Sequence, residues 1–188
     1  MEDQTKIAKK RGRGKETLFR VSYQHQGQLI QNADYKANLI ISISTTIISA
    51  IIAIIGYGAV TGTSTRFGYF VLVPILIIVL SCLVALIFSV HAARPKIIFP
   101  PSNRPDQPKS SLLFFRTIAS HSQPDYIDKM KVLLKSEEDI FEQMTIDLYN
   151  QGVVLKIKYD LLRSAYSVLL FGFIAGVVSF LVMLGILW

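Results

Sequence analysis

Three stretches of the chain, 37–65, 67–93 and 164–188, contain no Asp, Glu, Lys or Arg. Each is longer than the roughly 20 residues a helix needs to cross about 30 Å of hydrocarbon. In the first, Ala37 to Val60 holds nine Ile and one Leu. At about −0.3 to −0.6 kcal/mol each on the insertion scale, these outweigh the small costs of the interspersed Ser and Thr. A cleaved signal peptide would need only 7 to 15 apolar residues close to the start, whereas this run begins after 36 residues. The pattern therefore predicts an all-α membrane protein with three transmembrane helices, at 37–60, 68–93 and 164–188. A helical loop joins the second span to the third.

The positions of Lys and Arg set the orientation. Eight precede the first span, only Arg66 lies in the short connection 61–67, and eleven lie between Arg94 and Arg163. The excess places the N-terminus and the loop 94–163 in the cytoplasm, with the connection 61–67 and the C-terminus outside. Trp188 would then sit at the outer interface, where its amphipathic ring is favoured.

Inside the loop, Pro100, Pro101, Pro105 and Pro108 exclude a continuous helix over 97–111. Pro124 with Asp125 then opens one helix. Ser136 followed by Glu137, Glu138 and Asp139 opens another, with a capping hydroxyl and three acids at the positive helix end. Ile140, Phe141, Met144 and Leu148 share one face, and no Pro intervenes before the third span. That helix either continues into the membrane or kinks at Gly152. Residues 1–20, with the basic block Lys9 to Lys15, show no apolar periodicity and read as a disordered tail drawn to anionic lipid. Residues 21–36 form a juxtamembrane segment.

Composition changes this picture little. The net charge of +7 comes from the tail, the loop and Arg66, and a juxtamembrane basic block serves orientation and lipid binding before it serves a nucleic-acid polymer. Cys82 is the only cysteine, so intrachain disulfides and Cys-based metal sites are excluded. His25, His91 and His121 lack metal-ligand spacing, and no catalytic motif is present; the chain does not read as an enzyme. At mid-membrane depth the spans hold hydroxyls but no Asp, Glu, Lys, Arg or His, which argues against a proton-coupled transporter or a permanently selective channel.

Small and polar residues mark helix-packing faces. Asn38, Ser42, Thr45, Thr46, Ser49, Ala53 and Gly56 recur at helical spacing on the first span. Ser81, Ala85 and Ser89 do so on the second, and Gly172 with Gly176 forms a G-x-x-x-G step on the third. These faces either close on one another within one chain, or one of them is left for a neighbouring copy in a homo-oligomer.

Two motifs flank the membrane entries. Gln31-Asn32-Ala33-Asp34-Tyr35-Lys36-Ala37-Asn38-Leu39 resembles the A-D-x-K-A-x motif of the Pycsar transmembrane effector family. Lys158-Tyr159-Asp160-Leu161-Leu162-Arg163-Ser164-Ala165-Tyr166 resembles that family's K-Y-x-x-L-R-x-A-Y entry to the last span. Phe114-Phe115 and Tyr126 fit as well, and the resemblance covers roughly residues 21 to 185. It implies a bacterial inner-membrane effector of anti-phage defence, which answers a cyclic nucleotide released by a partner cyclase and impairs the membrane. It implies no resident cofactor. Some relatives carry a phosphohydrolase domain with His-Asp metal motifs, and nothing here matches one.

No separate nucleotide-binding domain is recognisable, so the ligand would be read near the membrane entries. A cyclic nucleotide needs a cation for its phosphate, an aromatic face for its base and polar groups for its edge. Asp34, Lys36, Asn38, Tyr159, Arg163 and Tyr166 supply that set at one interface. The same residues also fit a simpler arrangement, in which Asp34 pairs with Lys36 or Arg163 and the tyrosines form an interfacial belt. A holin-like constitutive toxin, or a membrane scaffold subunit binding a protein partner, are the alternatives to a gated effector.

Overall fold

The structure, a computed structural model, describes residues 2–61, 71–94, 112–113 and 115–187. The Pro-rich stretch 97–111, most of the connection 61–67, Phe114 and Trp188 lie outside the described residues. Those described form α1 (Glu2–Val60), α2 (Leu72–Ala93), α3 (Phe115–Ser120), α4 (Gln123–Leu133) and α5 (Glu137–Leu187), with no strand among them. Apolar stretches of α1, α2 and α5 are each long enough to cross a membrane. Only 11%, 22% and 6% of the residues in those stretches are buried within the chain. The remaining apolar side chains, Ile52, Leu76, Phe171 and Ile186 among them, need a nonaqueous solvent, which lipid provides.

Contacts divide the chain into two compact units. The first is Met1–Gln31 with Pro95–Lys156, and the second is Asn32–Arg94 with Ile157–Trp188. Helices α1 and α5 contribute to both.

In the first unit the α1 seam begins Phe19, Tyr23, Gln26, Ile30, stepping four and three residues as in a heptad. Phe19 stacks on Phe141 of α5 with ring centroids 5.4 Å apart, and the Tyr23 hydroxyl donates to the Met144 carbonyl at 3.0 Å. The two helices therefore run in the same direction here. Lys15 lies 5.5 Å from the Phe141 ring, the Thr17 hydroxyl donates to the Arg13 carbonyl at 2.8 Å, and Arg20 pairs with Glu16. Residues 2–20, expected as a disordered tail, belong to α1. Phe19 finds its partner more than a hundred residues away, so no local pattern could reveal it.

The helix starts within the loop follow from capping. Pro124 lies in the first turn of α4. At α5 the Asp139 amide donates to Ser136 Oγ at 3.3 Å, beneath three acids that complement the helix dipole. Gly152 does not break α5, which runs unbroken from Glu137 to Leu187. The six-residue α3 was not anticipated, being too short to show a period.

In the second unit α1 buries Ala33, Ala37, Ile40 and Ser44, continuing the four-three spacing. These pack with Ala85 and Ala92 of α2 and Leu162 and Ala165 of α5, a core of mostly small side chains. Such residues let helix backbones approach closely where lipid removes the hydrophobic drive to associate. Helices α2 and α5 approach closely at the G-x-x-x-G step. A Cβ at Gly172 would collide with the Ser81 side chain, and one at Gly176 with the Ile78 side chain.

The first-span stripe of small and polar residues has a different place from the one its composition suggests. Asn38, Ser42, Thr45, Thr46, Ser49, Ala53 and Gly56 are all exposed in the single chain. The buried face is the neighbouring one led by Ala33 and Ala37, whose methyl side chains permit the closer approach. Thr45 Oγ1 meets its own hydrogen-bond need by donating to the Ile41 carbonyl at 2.8 Å, so this hydroxyl does not require a partner helix.

Candidate functional site

The two flanking motifs meet in the second unit. Spacing of four and three residues puts Tyr159, Arg163 and Tyr166 on one stripe of α5, while Asp34 and Asn38 lie one turn apart on α1. The Lys36 ammonium lies 5.7 Å from the centroid of the Tyr159 ring, within cation–π range. Lys36, Asn38, Arg163 and Tyr166 are exposed and Tyr159 is half-buried. The six residues expected to form a site are therefore positioned by two adjoining helices, and all six present accessible surface.

Asp34 is engaged differently. Its carboxylate is ion-paired with Lys158, and not with Lys36 or Arg163 as the simpler sequence reading supposed. The Lys158 residue is 4% exposed, and the Asp34 side chain 41% exposed. A lysine so deeply placed needs a charge partner, and Asp34 provides it. Lys158 was not expected among the site residues. Its signal is positional: it shares a face with Val154, Leu162 and Ala165, all buried, and a lysine on such a face demands an acid opposite. The pair fixes α1 against α5 one residue from the Lys36–Tyr159 contact, so it sets the spacing of the accessible groups.

A cleft of about 460 Å³ lies in the first unit between α4 and the start of α5. Its lining includes Asp128, Asp139 and Glu142 against a single cation, Lys129. Lys129 pairs with Asp125 at 3.0 Å and Asp128 with Lys131 at 3.4 Å. Three carboxylates oppose an anionic ligand in this cleft. Among the described residues no group of three or more His, Cys, Asp or Glu is arranged to hold a metal ion.

The sequence matches the family model described as the Pycsar effector protein domain over residues 18–185. The chain belongs to the Pycsar effector family. The resemblance carried by the Ala33-to-Asn38 and Lys158-to-Tyr166 motifs is borne out, and both motifs fall within the matched region. Membership makes the chain a membrane effector of anti-phage cyclic-nucleotide signalling, and its three apolar helices agree with a multi-pass inner-membrane protein. No curated protein and no solved structure matches it.

Proposed function

We propose that this Pycsar effector is a non-catalytic, cyclic-nucleotide-activated protein that impairs the integrity of the bacterial inner membrane during infection. The observation that carries the reading is the contact of Lys36 with the Tyr159 ring. It brings an exposed cation and a partly accessible aromatic face together, the two elements that a cyclic phosphate and its base require. Arg163 adds a second cation, and Tyr166 and Asn38 add a ring and an amide edge. Asp34, held by Lys158, acts by positioning these groups and offers its remaining carboxylate oxygen to a ribose or base donor. The ligand comes from a partner cyclase and works by favouring one arrangement of α1 and α5 over another, since equal affinity for both would shift nothing.

The N-terminus and the loop face the cytoplasm in this reading, where the ligand is made, and the C-terminus faces outward; the distribution of Lys and Arg supports that orientation. Damage to the bilayer is the work of a homo-oligomer. The exposed Ser42, Thr46 and Ser49 stripe supplies a close-approach face that the single chain leaves uncovered.

The test is membrane depolarisation, read with a potential-sensitive dye in bacteria expressing the full chain with each of a panel of nucleotide cyclases. Depolarisation with one cyclase, lost in the Lys36→Ala, Arg163→Ala double variant while expression is unchanged, is the expected result. Depolarisation without any cyclase would instead identify a constitutive holin-like toxin. No depolarisation under any condition would favour a scaffold that binds a protein partner.

A further inference from the structure

In the first unit the pairing of α1 with α5 changes chemistry along its length. Phe19 and Phe141 form an aromatic layer. The next turns bring Tyr23 and Gln26 of α1 to the same stretch as Asp147, Asn150 and Gln151 of α5. Asp147 is 5% exposed and Asn150 6%. Asp147 Oδ2 accepts a hydrogen bond from Gln151 Nε2 of its own helix at 2.9 Å. Its Oδ1 is buried without a donor, as is Gln26 Oε1. The Tyr23 hydroxyl lies within reach of the Asp147 carboxylate but donates to the Met144 carbonyl at 3.0 Å, and among the described residues no cation is ion-paired with Asp147. The layer is also loosely filled. A Cβ at Gly152 would touch only the Gln26 amide, at 3.8 Å.

A buried carboxylate oxygen without donor or counter-charge weakens the association that buries it. In a heptad seam a polar layer also selects one register at the expense of stability. Apolar side chains at these positions would have paired the helices more firmly.

We propose that the Tyr23, Gln26 and Asp147 layer is a release catch, fixing the register of α1 against α5 over residues 19–30 and 141–154 while keeping that pairing weak enough to open. Both helices continue without a break into an apolar stretch, so opening acts on the same helices that would cross the bilayer. Only the purpose of the opening rests on the proposed effector function; the catch itself requires no ligand.

The test is amide hydrogen exchange of the full chain in lipid nanodiscs, followed over residues 19–30 and 141–154. Asp147→Leu removes the unsatisfied oxygen and fills the layer, and is expected to slow exchange about tenfold. Asp147→Asn keeps the shape, removes the charge and adds a donor for the buried acceptor, and is expected to slow it by a smaller factor. Slowing is a gain that damaged packing cannot produce. Faster exchange in both variants would show the carboxylate to be stabilising and overturn the proposal. If Leu is faster because it does not fit, Asn decides: slower supports the catch, and unchanged or faster overturns it. Slowed exchange in the variants together with a wild type that no cyclase can activate would support the catch and refute the effector reading.

Discussion

The step at Gly172 makes a quantitative test of how α2 and α5 are held together. At Gly172 the obstacle to a Cβ is the Ser81 side chain at its root, with Ser81 Cα only 3.5 Å behind it. No rotamer change moves those atoms, so the helices must separate. At Gly176 the obstacle is the Ile78 side chain, with Cγ1 overlapping the added atom, Cδ1 2.9 Å away and the Pro74 carbonyl oxygen 3.5 Å off; both Ile78 atoms move on rotation about χ1, which Ser81 Cβ does not. Overpacking costs about 1–3 kcal/mol, so Gly172→Ala belongs near the upper end and Gly176→Ala near the lower. The gain in helix propensity on replacing Gly with Ala, about 1 kcal/mol, is common to both and cancels from the comparison, leaving a difference of about 2 kcal/mol. Cys82, the only cysteine and 1% exposed, is a native reporter beside the contact. Maleimide labelling of Cys82 in micelles under mild denaturant should be about 30-fold faster in Gly172→Ala than in Gly176→Ala, at one decade per 1.4 kcal/mol. Gly185→Ala, where a Cβ meets nothing within 4 Å, serves as control, and adding Ser81→Gly should restore slow labelling in a double-mutant cycle. Labelling in Gly172→Ala no faster than in Gly185→Ala would show that this glycine is not the point of contact.

Further outcomes follow from single contacts. Lys158→Ala leaves the Asp34 carboxylate without its partner. Breaking a fully buried pair costs about 3–5 kcal/mol, and the partial exposure of Asp34 lowers the expected loss to about 1–3 kcal/mol in micelle unfolding; Lys158→Met should be milder because it preserves packing. Ser136→Ala removes the acceptor for the Asp139 amide and should cost about 1 kcal/mol, visible as faster hydrogen exchange confined to the first turn of α5. Burial pushes the Tyr23 phenol well above the usual tyrosine range, and the Asp147 carboxylate raises it further. Because its folded pKa is raised, its stabilisation is complete below the unfolded value of about 10 and is lost as pH rises beyond it. Tyrosinate absorbance of the wild type minus that of Tyr23→Phe should therefore titrate later than the bulk tyrosines; coincident titration would contradict the buried placement.

Several features were legible in the sequence because they are local. The three uncharged stretches fixed the number of apolar helices, since a bilayer's thickness translates directly into residues. Ser136 and its acids located the start of α5, because capping involves neighbours along the chain. The Ala33-to-Asn38 and Lys158-to-Tyr166 motifs carried the family. What only the tertiary structure decided is which face of each helix meets which partner. The Ser42, Thr46 and Ser49 stripe and the Ala33, Ala37 and Ile40 stripe both read as packing faces, and spacing cannot choose between them. The choice came from closeness of approach, which the methyl groups of Ala33 and Ala37 allow. Likewise, Phe19 looked like part of an unstructured tail until Phe141 stood opposite, and Lys158 looked like one more basic residue until its burial called for Asp34. In each case the energy lies between residues more than a hundred positions apart, where a one-dimensional pattern holds no record of the contact.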